Sequence, residues 1–348
     1  SKGKKFIDAY HHILKSFGST SGLQETQQEI IKSENQKTKI MLRNHLTIAI
    51  RNLRKHSFYP FINVAGLSIG VAVCFIILLF VINEVSYDKH FNKADQIYRI
   101  QSEIQFGGNH SFTTYNPAPM ASALAANFPE VEASTRFREH GSYLVKRFDD
   151  NIKEDHVIWT DSTFFKVFDL PMIAGNAATA LKEPNSIAIS ERIAKKYFPD
   201  ENALGQTLIL DNKMNMKITA VYQDIPVNSH FHFDILIAMA GLEEAQRTVW
   251  YSNNFQTYML LRKDASIPDL DTKIKALVDK NMMPQIAELL GSDFTAEKFA
   301  AAGNKIEYKL QPLTDIHLKS SLQGEFEPNF DIAYVYLFVA IALFILTI

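Results

Sequence analysis

The apolar and polar positions along the chain fall into three patterns. From Phe61 to Ile82 runs "FINVAGLSIGVAVCFIILLFVI", 22 residues without a charge. Wound as a helix this stretch reaches about 33 Å, enough to cross the roughly 30 Å hydrocarbon core of a bilayer. A second uncharged run, "IAYVYLFVAIALFILTI", begins at Ile332 and stops with the sequence at Ile348 after seventeen residues. It is expected to be the opening of a second membrane helix that the sequence truncates. Between the two runs the pattern changes to short alternations. "QIYRIQSEIQF", "VEASTRFRE" and "KIEYKLQP" carry apolar residues at every second position, and with "FQTYMLLR" they predict strands. "PAPMASALAANFP" predicts a short helix. "SIPDLDTKIKALVDKNMM" predicts a longer one, with Ser266 as cap, Pro268 in its first turn, and Leu270, Ile274, Leu277 and Val278 on one face. Strand, helix, strand thus occurs twice, and the two halves are expected to pair into one ferredoxin-like sheet. Over about 151–223, "HVIWT", "NSIAIS", "QTLIL" and "MKITAVYQ" predict further strands, and "DSTFFKVF" and "SERIAKKYF" short helices, as an inserted lobe. The fold class is α+β, with two membrane helices, the second truncated, flanking a mixed water-facing domain.

Charge orients this arrangement. Residues 1–57 hold eleven Lys or Arg against four acids, a net of +7 in a chain of net −2, so the remainder carries −9. Arg51, Arg54, Lys55 and His56 precede the first run, whereas Glu84 and Asp88 follow it. The positive-inside rule then puts the basic leader in the cytoplasm and residues 84–331 outside it. Tyr59 and Phe61 fall at one interface of the span and Tyr87 at the other. Residues 1–40 form a basic extension without a functional signal. Residues 41–58 form an amphipathic helix with Leu42, Leu46, Ile50 and Leu53 on one side, suited to the membrane interface. Residues 59–83 are the first crossing and 332–348 the start of the second. An acidic main domain excludes nucleic acid as its partner. The single cysteine, Cys74, excludes an intrachain disulfide.

Chemistry is sparse. "GLSIG" fits the spacing of a nucleophile elbow, but Ser68 lies inside the apolar run with no histidine in either run, so its Gly66 and Gly70 read as a G-x-x-x-G face for helix packing. "SHFHFD" sets His230, His232 and Asp234 at metal-ligand spacing, yet without a further Cys or His cluster it reads as a hydrogen-bonded turn leading into a strand. Asp149, Asp150 and Glu154 read as solvated loop charges. No G-x-x-x-x-G-K-[ST] is present among the fourteen glycines, so a P-loop role in binding ATP falls to another polypeptide. No catalytic set, metal site or cofactor is expected.

The stretch "MLRNHLTIAIRNLRKHSFYPFINVAGLSIGVAVCFIILLFVINEVSYDKHF" resembles the opening of the MacB/FtsX-type ABC transporter permeases, in particular the large versions common in Bacteroidetes. The likeness continues through "VIWTDSTFFKVFDLPMIAGN", "SIAISERIAKKYFPDENALGQTLIL", "MKITAVYQDIPVNSHFHFD" and "LQPLTDIHLKS", from Met41 to the end. It implies a periplasmic domain at 84–331, built from a discontinuous porter subdomain (84–150 and 224–331) and a Sabre-like insert (151–223). It also implies a non-enzymatic permease subunit in the bacterial inner membrane, driven by a cytoplasmic ABC ATPase through mechanotransmission. Further partners it implies are a second permease unit in a dimer or pseudo-dimer, membrane lipid, and a periplasmic adaptor or outer-membrane factor. By the same resemblance Arg51, Asn52, Arg54 and Lys55 belong to the coupling helix near the ATPase, and Gly66 and Gly70 to helix packing. The alternative class is a two-helix membrane sensor with an extracytoplasmic ligand domain.

Overall fold

The structure is a computed structural model that describes residue 8, residues 39–41, 43–45, 47–48, 51, 58–148, 150–291 and 294–347, without the side chains of residues 59 and 60. The chain divides into two compact units, Ser1–Phe75 with Ile345–Ile348, and Ile76–Phe344.

In the first unit, residues 39–41, 43–45, 47–48 and 51 are helical and exposed. The apolar run forms α1 (Phe58–Val85), whose larger part belongs to this unit. Within Phe61–Val85 an 18-residue stretch has a mean hydropathy of 2.9 and is 6% buried, so the helix is long and apolar enough to cross a membrane. An apolar helix left so bare in water would be costly, and lipid is the medium that fits it.

The second unit carries a sheet of fourteen strands among the described residues. In chain order its elements are β1 (Ile97–Phe106), β2 (Asn109–Thr113), β3 (Tyr115–Pro117), α2 (Met120–Asn127), β4 (Val131–Arg138), β5 (Tyr143–Arg147), β6 (Asp150–Glu154) and β7 (Val157–Thr160). There follow α3 (Phe164–Val167), β8 (Met172–Gly175), β9 (Ser186–Ser190), α4 (Glu191–Tyr197), β10 (Thr207–Leu210), β11 (Met214–Tyr222) and β12 (Ile235–Ala238). The last are β13 (Asn253–Leu261), α5 (Ile267–Leu290), α6 (Ala296–Ala301), β14 (Lys305–Pro312), α7 (Ile316–Lys319) and α8 (Ile332–Thr347).

The strand order is β14-β1-β13-β4-β7-β12-β9-β11-β10-β5-β6, with β2 on β1, β3 on β13 and β8 on β11. The first four strands are antiparallel neighbours, and they come from the two strand-helix-strand stretches, which interleave through β1 and β13. Their α2 and α5 cover one face. There Ile100, Met259, Leu261 and Tyr308 meet Leu124, Leu270, Ile274, Val278 and Met282. The spacing of four along α5 is what puts those residues on one line of the helix. Sequence reasoning stopped this helix near Pro284, where a helix loses a hydrogen bond. The structure carries it on to Leu290 because Ile286 stays on the buried line, and it ends at Gly291, whose φ of 96° suits glycine alone.

β4 hands over to β7 through only two register pairs, Phe137↔Thr160 and Arg138↔Trp159. Beyond them lies the mixed lobe. β5 pairs with β10, and β12 lies between β7 and β9, so the pairing carries this lobe past the 151–223 stretch at both ends. The two halves share one aromatic layer: Phe137, Phe164, Phe168, Phe231, Phe233 and Tyr258. Phe137 contacts five of the surrounding rings at centroid distances from 5.2 to 5.8 Å. Each such pair adds about 0.5–1.5 kcal/mol to what burial alone supplies.

Candidate membrane-to-domain junction

α1 runs into a stretch of turns, 86–93, that is itself hydrogen-bonded to the folded domain. The uncharged apolar run of α1 ends at Ile82, its last turn carries Asn83 and Glu84, and Ser86 follows directly after it. Glu84 is buried, and its Oε2 accepts from His317 Nε2 at 2.7 Å. The ring of Tyr87 lies flat on His317, with centroids 3.4 Å apart and planes 3° from parallel. His317 is on α7, the turn that follows β14, and its carbonyl accepts the Phe330 N–H at 2.8 Å just before α8 begins. Phe80 packs edge-on against Phe330 and Phe338. The end of α1 and the start of α8 therefore meet over a single histidine.

A second set of contacts fastens α1 to the segment after β11. Asn228 donates to the Ser86 carbonyl at 3.2 Å and to its hydroxyl at 3.0 Å, and the Asp88 N–H returns a bond to the Asn228 carbonyl at 2.9 Å. Asp88 adopts φ 60°, a left-handed conformation that aspartate tolerates better than most residues, and is 1% exposed. Its Oδ1 accepts from Ser229 Oγ at 3.0 Å, from the His230 N–H at 3.1 Å and from His230 Nδ1 at 2.8 Å. Burial alone would raise the pKa of this carboxyl. The charge and hydrogen bonds of His230, with that of Ser229, outweigh it and hold the group below the usual aspartate range. The far side of the imidazole, Nε2, meets Tyr258 OH at 2.9 Å in the middle of β13. Burial pushes that phenol well up, so it stays a donor. A buried hydrogen-bonded path thus runs from the end of the apolar helix into the centre of the sheet.

The residues of "SHFHFD" divide among three partners and make no common centre. His230 holds Asp88. His232 meets Glu327 at 3.3 Å and the Pro226 carbonyl at 3.1 Å, and Asp234 takes Ser190 and Arg192. A hollow of about 350 Å³ opens between Arg192, His232, Asp224 and Glu327. Glu154, expected as a solvated charge, accepts from Lys196 Nζ at 2.6 Å and Tyr197 OH at 2.7 Å instead. Ser68 donates to the Val64 carbonyl at 2.7 Å inside an unbroken helix, not on a strand-to-helix turn.

In the first unit, Gly70 faces Ile345, where an added Cβ would sit 3.4 Å from the Ile345 Cγ2, while at Gly66 it would meet nothing within 4 Å. Both glycines line an apolar groove of about 670 Å³ with Ile62, Leu67, Val71 and Leu346. Arg51 is helical and exposed. Asn52, Arg54 and Lys55 lie outside the described residues. The junction pairs themselves escaped sequence reasoning. Their linear traces are two acids, Glu84 and Asp88, placed directly after an apolar run, and His230 in "SHFHFD", read as a hydrogen-bonded turn without its partner.

The sequence profile of the MacB-like periplasmic core domain matches residues 61–277. The chain belongs to this family. Its members are periplasmic domains of MacB-like ABC transporter permeases, and here an apolar helix precedes the domain. Among solved structures, a domain assigned to a permease protein from Porphyromonas gingivalis superposes with a TM-score of 0.53 at 22% identity, covering 64% of this chain and 91% of that one. At that identity the two share a fold. The periplasmic region of MacB from Actinobacillus actinomycetemcomitans gives 0.43 at 15%, over 64% of this chain and 90% of that one. The extracellular domain of the ABC-type transporter YknZ from Gram-positive bacteria gives 0.42 at 11%, over 62% and 99%. No curated protein sequence matches.

Proposed function

We propose that the chain is a permease subunit of a MacB/FtsX-type ABC transporter. It couples ATP hydrolysis by a cytoplasmic partner ATPase to a conformational change of the periplasmic domain, for export or extraction of a substrate, and is itself no enzyme. The observation that supports this most is the fastening of the end of α1 to the domain. Glu84–His317 and Asp88–His230 stand where a mere membrane tether would have a flexible linker, so a movement of that helix end is passed to the sheet. On this reading residues 84–331 face the periplasm from the inner membrane. The four-stranded part around β1 and β13 corresponds to the porter subdomain, and the lobe from β5 to β12 to the Sabre-like insert. α8 is the start of a second crossing. Arg51, Asn52, Arg54 and Lys55 serve the ATPase side, Gly66 and Gly70 pack against membrane helices, and a second permease unit, an adaptor and an outer-membrane factor complete the assembly.

The test is purification of the full-length protein from its own membrane. An ABC ATPase is expected to copurify, and ATP hydrolysis to require it. Labelling of intact cells is expected to reach cysteines placed at Asn109 and Gln223. Hydrolysis by the chain alone, or cytosolic exposure of those positions, overturns the proposal.

A further inference from the structure

Between α7 and α8 the chain crosses the sheet as a strap, Ser320–Phe326, which no helix or strand pattern marks. Its backbone is pinned to the end of β2: the Gln323 N–H donates to the Phe112 carbonyl at 3.0 Å, and the Thr114 N–H to the Gln323 carbonyl at 3.0 Å. Gln256 of β13 donates to the Gly324 carbonyl at 2.7 Å. Gly324 has φ 87°, and an added Cβ would sit 2.6 Å from Thr114 Oγ1 and 2.7 Å from the Tyr115 ring, so only glycine passes there. Phe326 plugs into the aromatic layer, 5.0 Å from Phe233 and 5.5 Å from Phe137.

At the centre of this strap stands an ion pair. Arg99 of β1 is fully buried, and its two terminal nitrogens fork onto both oxygens of Glu325 at 2.5 Å. Two further donors go to Ser320 Oγ at 2.8 Å and Gln311 Oε1 at 2.9 Å. Arg99 lies directly opposite Tyr258 across the β1–β13 ladder, and Tyr258 is the residue that receives the path from Asp88 through His230. A buried arginine held by a planar fork fixes position as well as charge, since lysine offers no matching geometry.

We infer that Arg99 is a positioning residue: it fixes the return strap, and with it the start of α8, to β1 and β13, so that the ends of both apolar helices act on the same two strands. The fastening stands on the contacts alone, and its role in transmission rests on the permease reading.

Hydrogen exchange of the full chain in lipid nanodiscs tests this without any ATPase. In Arg99→Lys and in Glu325→Ala, amides of 320–331 are expected to exchange about tenfold faster or more, while those of 253–261 keep their wild-type rates. Unchanged exchange over 320–331, or an equal rise in both stretches, overturns the inference. The milder Glu325→Gln, expected to lie between wild type and Glu325→Ala, serves if Glu325→Ala fails to fold. With the partner ATPase and ATP added, the wild-type strap and 253–261 are expected to respond together, and in Arg99→Lys to different extents, since 253–261 keep the path through Asp88 and His230. Should the wild type show no nucleotide response, the permease reading fails, and the exchange rates without ATP still decide whether Arg99 holds the strap.

Discussion

Arg99 and Glu103 sit four residues apart on the same strand, and each is engaged in an ion pair. Arg99 holds Glu325 at 2.5 Å with side chains 1% and 12% exposed. Glu103 holds Lys305 at 2.8 Å with side chains 19% and 41% exposed, and Lys305 also reaches Glu307, which lies directly opposite Glu103 in the β1–β14 ladder. The separations are similar, and the surroundings are not. At about 4 Å two unit charges interact by about 1 kcal/mol in water and by about 4 kcal/mol at the effective dielectric of a partly buried site. The inner pair is therefore a mechanical fastening. The outer one keeps two like charges on facing strands from repelling each other and dresses an edge strand that would otherwise invite pairing.

The largest effect expected from breaking this contrast is at the inner pair. Arg99→Met leaves Glu325 of the strap uncompensated and should cost about 3–5 kcal/mol of stability, as removing one partner of a buried pair does. Arg99→Met combined with Glu325→Leu should recover most of that loss, because no charge is then stranded. Urea titrations of the four members of this cycle measure both. A double variant as unstable as the single one shows that packing at the fork, rather than charge, holds the strap.

The junction carboxylate comes next. Asp88→Ala removes an acceptor of three buried hydrogen bonds and puts alanine at φ 60°, with an expected cost of about 2–3 kcal/mol. Asp88→Asn, whose side chain tolerates that backbone, should lose less. Asp88 and Glu325 both have folded-state pKa values lowered below their ordinary ones, for Glu325 because Arg99 and Ser320 outweigh burial. Their stabilising contribution is thus complete above the unfolded values of about 3.9 and 4.3. It disappears as pH falls through the lower folded values. The melting temperature should drop on acidification from about pH 5 to about pH 3, and Asp88→Asn with Glu325→Gln should flatten that slope. An unaltered slope removes these two groups as its source.

What could be read from the linear chain follows the same division between local pattern and long-range pairing. The strands "QIYRIQSEIQF" and "KIEYKLQP", the helix after Ser266 and the apolar α1 announce themselves by period, because each buries one face or meets lipid all round. The strap has no period, since its contacts are to Thr114, Gln256 and Arg99, which lie 68 to 226 positions away. Arg99 in "IYRIQ" shares its row of β1 with Gln101, Glu103 and Gln105, so the alternation assigns it to the polar side and does not announce its burial. β12 shows itself only as the strand into which "SHFHFD" leads: "ILIA" is buried on both faces between β7 and β9, and a run of four apolar residues has no period to read.

The smallest effect expected is at the outer pair, and it completes the contrast. Lys305→Ala removes a side chain that reaches Glu103 and Glu307 at once, yet both carboxylates keep water and other partners, His110 for Glu103 and Lys309 for Glu307. Exposed pairs of this kind trade Coulomb attraction against side-chain ordering and screening, so the unfolding midpoint in urea should stay within experimental error of wild type. Raising the salt concentration should erase whatever difference remains, whereas it should leave the Arg99→Met loss almost intact. If Lys305→Ala instead destabilised the domain as much as Arg99→Met, repulsion between Glu103 and Glu307 would be the dominant charge interaction on this strand, and burial would not be what sets the two ends of β1 apart.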